Sequence, residues 1–187
     1  MRAVSRAAEG FDRRAFTVNE VLRMQELGII GEDENFELIE GEIVPMQAKS
    51  HAHEWIKSAL NFALVPTISK SLWLGVKTTI YLSDDTFVEP DFAIYPRGIK
   101  LEDVRGSDLV LAIEVAVTSL AYDRAFKSRL YAKHKFQEYW VIDAQARRTF
   151  QFAGPRGASW RRKAERGPDD VLTHSALPGF SIRLADV

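Results

Sequence analysis

Two acidic side chains stand out because of the company they keep. Glu114 is the only polar side chain in the run LVLAIEVA. A carboxylate buried without a partner costs several kcal/mol or gives up its charge, so it needs a compensating Arg, Lys or metal ion. Asp91 follows Pro90 in FVEPDFAIYP, again among apolar residues. Proline removes a donor from a strand ladder and marks an edge or a distortion. A proline next to an acid therefore suggests a local irregularity that aims the carboxylate. Two isolated acids on neighbouring apolar strands are oxygen ligands for a hard cation, Mg²⁺ or Mn²⁺. With no cysteine in the chain, thiolate sites and disulfides are excluded. The plainer alternative is a pair of buried ion pairs. If function rather than packing keeps Glu114 in place, Glu114→Gln should stabilise the metal-free fold or leave it unchanged, and so not lower its melting temperature.

A cation comes from the segment after Glu114. Asp123, Lys127 and Tyr131 are spaced i, i+4, i+8, so a regular helix sets them on one face. Tyr122, Phe126 and Leu130 form the adjacent apolar stripe, which puts Lys127 at the border of the buried face. From there a long side chain can reach a site. The alternative is an Asp123–Lys127 surface pair worth a few tenths of a kcal/mol. His51 and His53 form an H-x-H pair whose members diverge on a helix. No third ligand is evident, so zinc is not expected, although a histidine at a helix start could touch substrate.

The elements that position these residues follow from periodicity. Thr17 and Glu20 form a capping box, and the helix they open ends at Gly28. Residues 35–46 read as a β-hairpin turning at Glu40-Gly41. A long helix is expected over about 52–68, with Pro66 cutting it short. Three strand-like segments follow, at 73–82, 87–95 and 109–116. The last is apolar enough for a central strand buried on both faces. A helix over about 122–134 and a buried strand at 139–142 complete a parallel crossover. The tail offers short strands near 150–152, Trp160 and 180–184. Its basic run, Arg156, Arg161, Arg162, Lys163 and Arg166 around Trp160, could contact phosphates and stack on a base; a solvated loop is the preferred reading.

At 187 residues, 46% of them hydrophobic, the chain suits one α/β domain, expected over residues 16–187 behind an N-terminal extension at 1–15. A net charge of −1 argues against coating nucleic acid through bulk charge. It allows a local basic groove beside an acidic site. No apolar run reaches the length of a membrane span, and the charged start lacks a signal-peptide core, so a cytoplasmic location is expected.

The string from Glu114 through Thr118-Ser119-Leu120 to Asp123, then Lys127, Leu130-Tyr131-Ala132 and Glu138-Tyr139-Trp140, resembles the large bacterial family of putative restriction endonucleases called the Uma type. FELIEGEIVPM and VEPDFAIYP match that family in the same order, over about residues 16–152. The resemblance implies a PD-(D/E)XK nuclease core: helix, three-stranded meander, helix and a parallel strand in a mixed sheet flanked by helices. Here that core would follow an N-terminal helix and hairpin. It implies metal-dependent endonuclease action on phosphodiester bonds, with Asp91, Glu114 and Lys127 catalytic. Asp91 and Glu114, joined by Glu37 from the hairpin, would hold Mg²⁺ (or Mn²⁺). DNA is the implied substrate, and cutting both strands would suit a homodimer.

The superfamily's lysine, two residues after the glutamate, is replaced by Ala116. The resemblance implies relocation to Lys127. The rival class is a catalytically weak or inactive nuclease-fold module that binds nucleic acid or a protein partner, and the fold alone does not separate the two.

Overall fold

The computed structural model describes residues 14–31 and 33–187, so most of the extension expected at 1–15 lies outside the described residues. The elements in chain order are α1 (Val18–Glu26), β1 (Phe36–Ile39), β2 (Glu42–Pro45), α2 (His51–Leu64), β3 (Leu72–Val76), β4 (Ile80–Ser83), β5 (Thr86–Val88) and β6 (Phe92–Pro96). Then come β7 (Leu111–Ala116), α3 (Leu120–Tyr122), a π-helical turn (Asp123–Lys127), α4 (Ser128–Lys133), β8 (Glu138–Asp143), β9 (Arg148–Arg156), β10 (Ser159–Arg166), β11 (Val171–Leu172) and β12 (Ile182–Arg183). They group into two compact units. The first takes the chain up to Met46 with Ser83–Phe87; the second takes Gln47–Leu82 and Val88–Val187.

In the first unit the Thr17–Glu20 capping box is complete and opens α1. Strands β1 and β2 pair antiparallel around Glu40 (φ 50°) and Gly41 (φ 80°). Two consecutive positive φ values define the type I′ turn that matches strand twist. Gly41 is required twice over, because a Cβ there would lie 2.5 Å from Ala15 Cβ. Leu38 of β1 also pairs with Phe87 of β5.

The second unit is built on a six-stranded mixed sheet in the order β10-β9-β8-β7-β6-β3. Only β7 and β8 run parallel, joined by the helical crossover at 120–133. On one face His53, Ile56, Leu60 and Leu64 of α2 are buried. The three apolar members pack with Phe92, Ile113, Val115 and Trp140 of the sheet. By strand alternation Ala112, Glu114 and Ala116 turn to the opposite face. Aromatic rings anchor the crossover helix. Tyr131 stacks on Phe136 at 4.2 Å and meets Tyr139 edge-on at 4.7 Å. The Trp160 indole N–H lies 2.9 Å from Ser128 O and 3.1 Å from Ser128 Oγ. Trp160 is thus a buried anchor of α4, not a ring open to stack on a base.

Two expected strands divide. The segment at 73–82 breaks after Val76, where Lys77 takes a left-handed backbone (φ 51°), and resumes as β4. The segment at 87–95 breaks at Glu89-Pro90-Asp91 into β5 and β6. Asp91 therefore stands in the break just before β6, not within a strand. The missing proline N–H ends the ladder there.

Candidate active site

Strands β6 and β7 are antiparallel neighbours, with Phe92 opposite Ile113 and Ala93 opposite Ala112. Extending that register by one residue sets Asp91 opposite Glu114. The break at Pro90 frees the Asp91 side chain to turn back on β7, and its Oδ2 accepts the Val115 N–H at 2.9 Å. The Asp91 carboxylate thereby closes on the peptide that follows Glu114. The same Oδ2 lies 3.1 Å from His53 Nε2, at the start of α2. Oδ1 is buried and has no hydrogen-bond partner among the described residues; the Lys77 ammonium stands 3.5 Å away.

Burial pushes the Asp91 carboxyl up. The His53 hydrogen bond, the Lys77 and His53 charges and the Val115 N–H together outweigh it and hold the pKa down at about 2. Asp91 is thus an ionised acceptor, and the His53 Nε2–H is the donor.

That depression has a measurable consequence. A carboxyl with a lowered folded pKa contributes stability that is full above its unfolded value near 3.8 and is lost as pH falls through the folded value. For a shift of this size the loss is roughly 2 kcal/mol. Urea unfolding of the metal-free protein from pH 5 downward should show it as added acid sensitivity between about pH 4 and pH 2. Asp91→Asn should flatten that part of the curve. An unchanged slope would mean that Asp91 is not held ionised by these partners.

Glu114 is buried on β7, and its Oε1 accepts from Lys127 Nζ at 2.8 Å and Tyr131 Oη at 2.9 Å. Lys127 ends the π-helical turn Asp123–Lys127, an irregularity frequent at functional sites. The wider turn breaks the regular face on which i, i+4 spacing would set Asp123 and Lys127. Both are buried, so the solvated surface pair does not form. Asp123 Oδ2 instead accepts from Ser119 Oγ at 2.6 Å. Within the second unit the structure thus closes Asp91 on the Val115 N–H, next to Glu114 in sequence, and pairs Glu114 with Lys127. Glu37 lies on β1 of the first unit and is buried there, while Glu42 is exposed.

Two contacts of Asp91 were not expected from the sequence. His53, read there as one of a pair that could touch substrate, instead bonds Asp91, and its buried position follows from sharing the phase of Ile56, Leu60 and Leu64. Lys77 carries no such signal, because no turn-forming residue type announces its left-handed backbone.

Among the described residues no three His, Asp or Glu side chains form a metal cage. Mg²⁺ does not need one: it keeps several waters and takes one or two carboxylates plus substrate phosphates. The buried Asp91 Oδ1, with no hydrogen bond among the described residues, fits such a cation. Among the described residues no helix is long and apolar enough to cross a membrane.

A family model described as "Uma2: Putative restriction endonuclease" matches residues 18–185. No curated protein matches the chain. The fold is similar to the crystal structure of a putative nuclease belonging to DUF820 from Anabaena variabilis. That similarity has a TM-score of 0.69 at 17% identity, covering 91% of this chain and 96% of that one. A partial likeness to the type IIG restriction endonuclease BpuSI (TM-score 0.37, 17% identity, 58% of this chain and 13% of that one) carries no argument.

Proposed function

Because the chain belongs to the Uma2 family of putative restriction endonucleases, we propose that it hydrolyses phosphodiester bonds, in DNA, at the Asp91–Glu114–Lys127 centre. The observation that carries this reading is the buried Asp91 Oδ1, an ionised oxygen without a hydrogen bond among the described residues, on a carboxylate closed against the peptide after Glu114. Asp91 and Glu114 would hold Mg²⁺ or Mn²⁺. Bound there, the cation would lower the pKa of a water and stabilise charge on phosphate oxygens.

The chain's own residues do the rest. His53 and the Val115 N–H occupy Oδ2 of Asp91, which turns Oδ1 toward the ligand position. Tyr131 and Lys127 orient Glu114. The Lys127 ammonium supplies fixed positive charge where negative charge develops, and such preorganised charge acts strongly in a site that excludes water.

One observation favours a second reading. A Glu114–Lys127 pair closed at 2.8 Å also suits a nuclease fold that only binds nucleic acid. Titration calorimetry with Mn²⁺, run beside cleavage of supercoiled DNA, separates the two. The unaltered protein should bind the metal and cut, and Asp91→Ala should do neither. Equal metal binding by both proteins would remove Asp91 as a ligand. Saturable DNA binding without cutting under either metal would establish the second reading.

A further inference from the structure

Lys77 is the one lysine at the site in a strained conformation. It follows Val76, the last residue of β3, which pairs with Phe92. Its φ of 51° is uncommon for any residue other than Gly, Asn or Asp. Such strain persists only where the surroundings enforce it, and it clusters at ligand clamps and active sites. Here the enforcing group is Asp91 itself, whose carbonyl accepts the Lys77 N–H at 3.2 Å. The Lys77 ammonium is left 3.5 Å from Asp91 Oδ1 and 3.4 Å from Glu89 O.

Those contacts are long. An ammonium fully engaged with a carboxylate sits at about 2.7–2.9 Å, as Lys127 does on Glu114 at 2.8 Å. Exposure separates the two lysines in the same way: the Lys77 side chain is 22% exposed and that of Lys127 is 8%. Lys127 is locked, whereas Lys77 keeps donors for something else.

Two more lysines stand near it. Lys57 Nζ lies 3.0 Å from Glu54 Oε2, and Lys49 Nζ lies 3.9 Å from Glu54 Oε1. Burial lowers the Lys49 pKa, and the Lys77 and Lys57 charges lower it further, so each of those two ammonium groups repels that of Lys49. Lys49 and Lys57 share the Glu54 carboxylate, whereas Lys77 makes only long contacts, to Asp91 and the Glu89 carbonyl. A lysine cluster with one member strained and incompletely bonded offers donors to an anion.

We propose that Lys77, backed by Lys49 and Lys57, forms a phosphate subsite beside Asp91 that grips a non-bridging oxygen of the nucleic-acid backbone. It supplies a mobile positive charge that Ala116 does not provide on β7. The subsite rests on the reading of this centre as one for phosphodiesters.

Binding without turnover tests it. A labelled single-stranded oligonucleotide is titrated in EDTA across about 50–200 mM salt, and log K is plotted against log salt. Losing one phosphate contact should weaken binding severalfold and reduce the slope by about 1. Lys77→Gln should show that loss and Lys77→Arg should not. Inorganic phosphate should compete on the unaltered protein and much less on Lys77→Gln. Circular dichroism checks the fold. Should Lys77→Gln fail to fold, Lys49→Gln is expected to lower the slope in the same way, and an unchanged slope there would overturn the subsite. A Lys77→Gln protein that is folded and keeps the parental slope also overturns it, whether or not the unaltered protein cuts DNA. Slope loss in a protein that cuts nothing with Mg²⁺ or Mn²⁺ keeps the subsite and rejects hydrolysis.

Discussion

Removing either half of the buried Glu114–Lys127 pair should destabilise the metal-free protein by about 3–5 kcal/mol, because each single change takes from a buried charge the opposite charge that lies against it. At this chain length that corresponds to a fall in melting temperature of roughly 10 °C. Glu114→Gln takes the charged acceptor from the Lys127 ammonium, and Lys127→Met takes the charged donor from the Glu114 carboxylate, which keeps the Tyr131 hydroxyl at 2.9 Å. The double variant removes both charges of the pair and should recover most of the loss, since partners in contact are not additive. Denaturant unfolding of all four proteins in EDTA closes the cycle. Additive losses would mean that the two groups do not stabilise each other. This outcome reverses the expectation from the sequence alone, in which Glu114→Gln stabilises the metal-free protein or leaves it unchanged. That expectation took function rather than packing to keep the acid, whereas the π-helical turn brings it the ammonium of the ion-pair alternative.

The largest effect on activity is expected at the same lysine. Lys127→Met should lower turnover roughly a hundredfold or more, about 3 kcal/mol, as loss of a group that stabilises transition-state charge does elsewhere. Glu114→Gln should fall below detection, since it removes a proposed metal oxygen. Metal affinity should survive in Lys127→Met, because an ammonium is not a ligand. The assay is cleavage of supercoiled DNA with Mn²⁺, at a temperature where circular dichroism shows each variant folded. A Lys127→Met protein that cuts at the parental rate would confine Lys127 to its structural pairing with Glu114.

Much of this arrangement is legible in the sequence where one residue contradicts its neighbours. Glu114 breaks an apolar run, and the conflict alone says that a partner must exist. Pro90 beside Asp91 announces a distortion, and the strand does stop there. Glu40-Gly41 names its own turn. What stays hidden depends on backbone paths that side-chain period does not record. A period of two carries on across an interruption of two or three residues, so 73–82 and 87–95 each read as a single strand. Lys77 is invisible because its left-handed backbone is imposed by Asp91, fourteen residues further along the chain. Lys127 is found for a reason that does not hold. Helical arithmetic points to it, but the turn it ends is wider than the arithmetic assumes.

That wider turn, Asp123–Lys127, fixes how the protein can change in length. A π-helical turn carries one residue more than the α-helix would need to cover the same stretch. Deleting any single residue between Tyr122 and Ser128 would let the segment relax into a regular α-helix. The helix on either side would keep its phase, because the residue removed is the one that the turn holds in excess. Ser128, Tyr131 and the Trp160 indole would therefore still hold the far end in its present rotation. A deletion within the α-helical turns on either side has no such excess to remove and would rotate one part of the crossover by about 100° against the other. A deletion scan through the crossover helix would therefore be tolerated best at this turn.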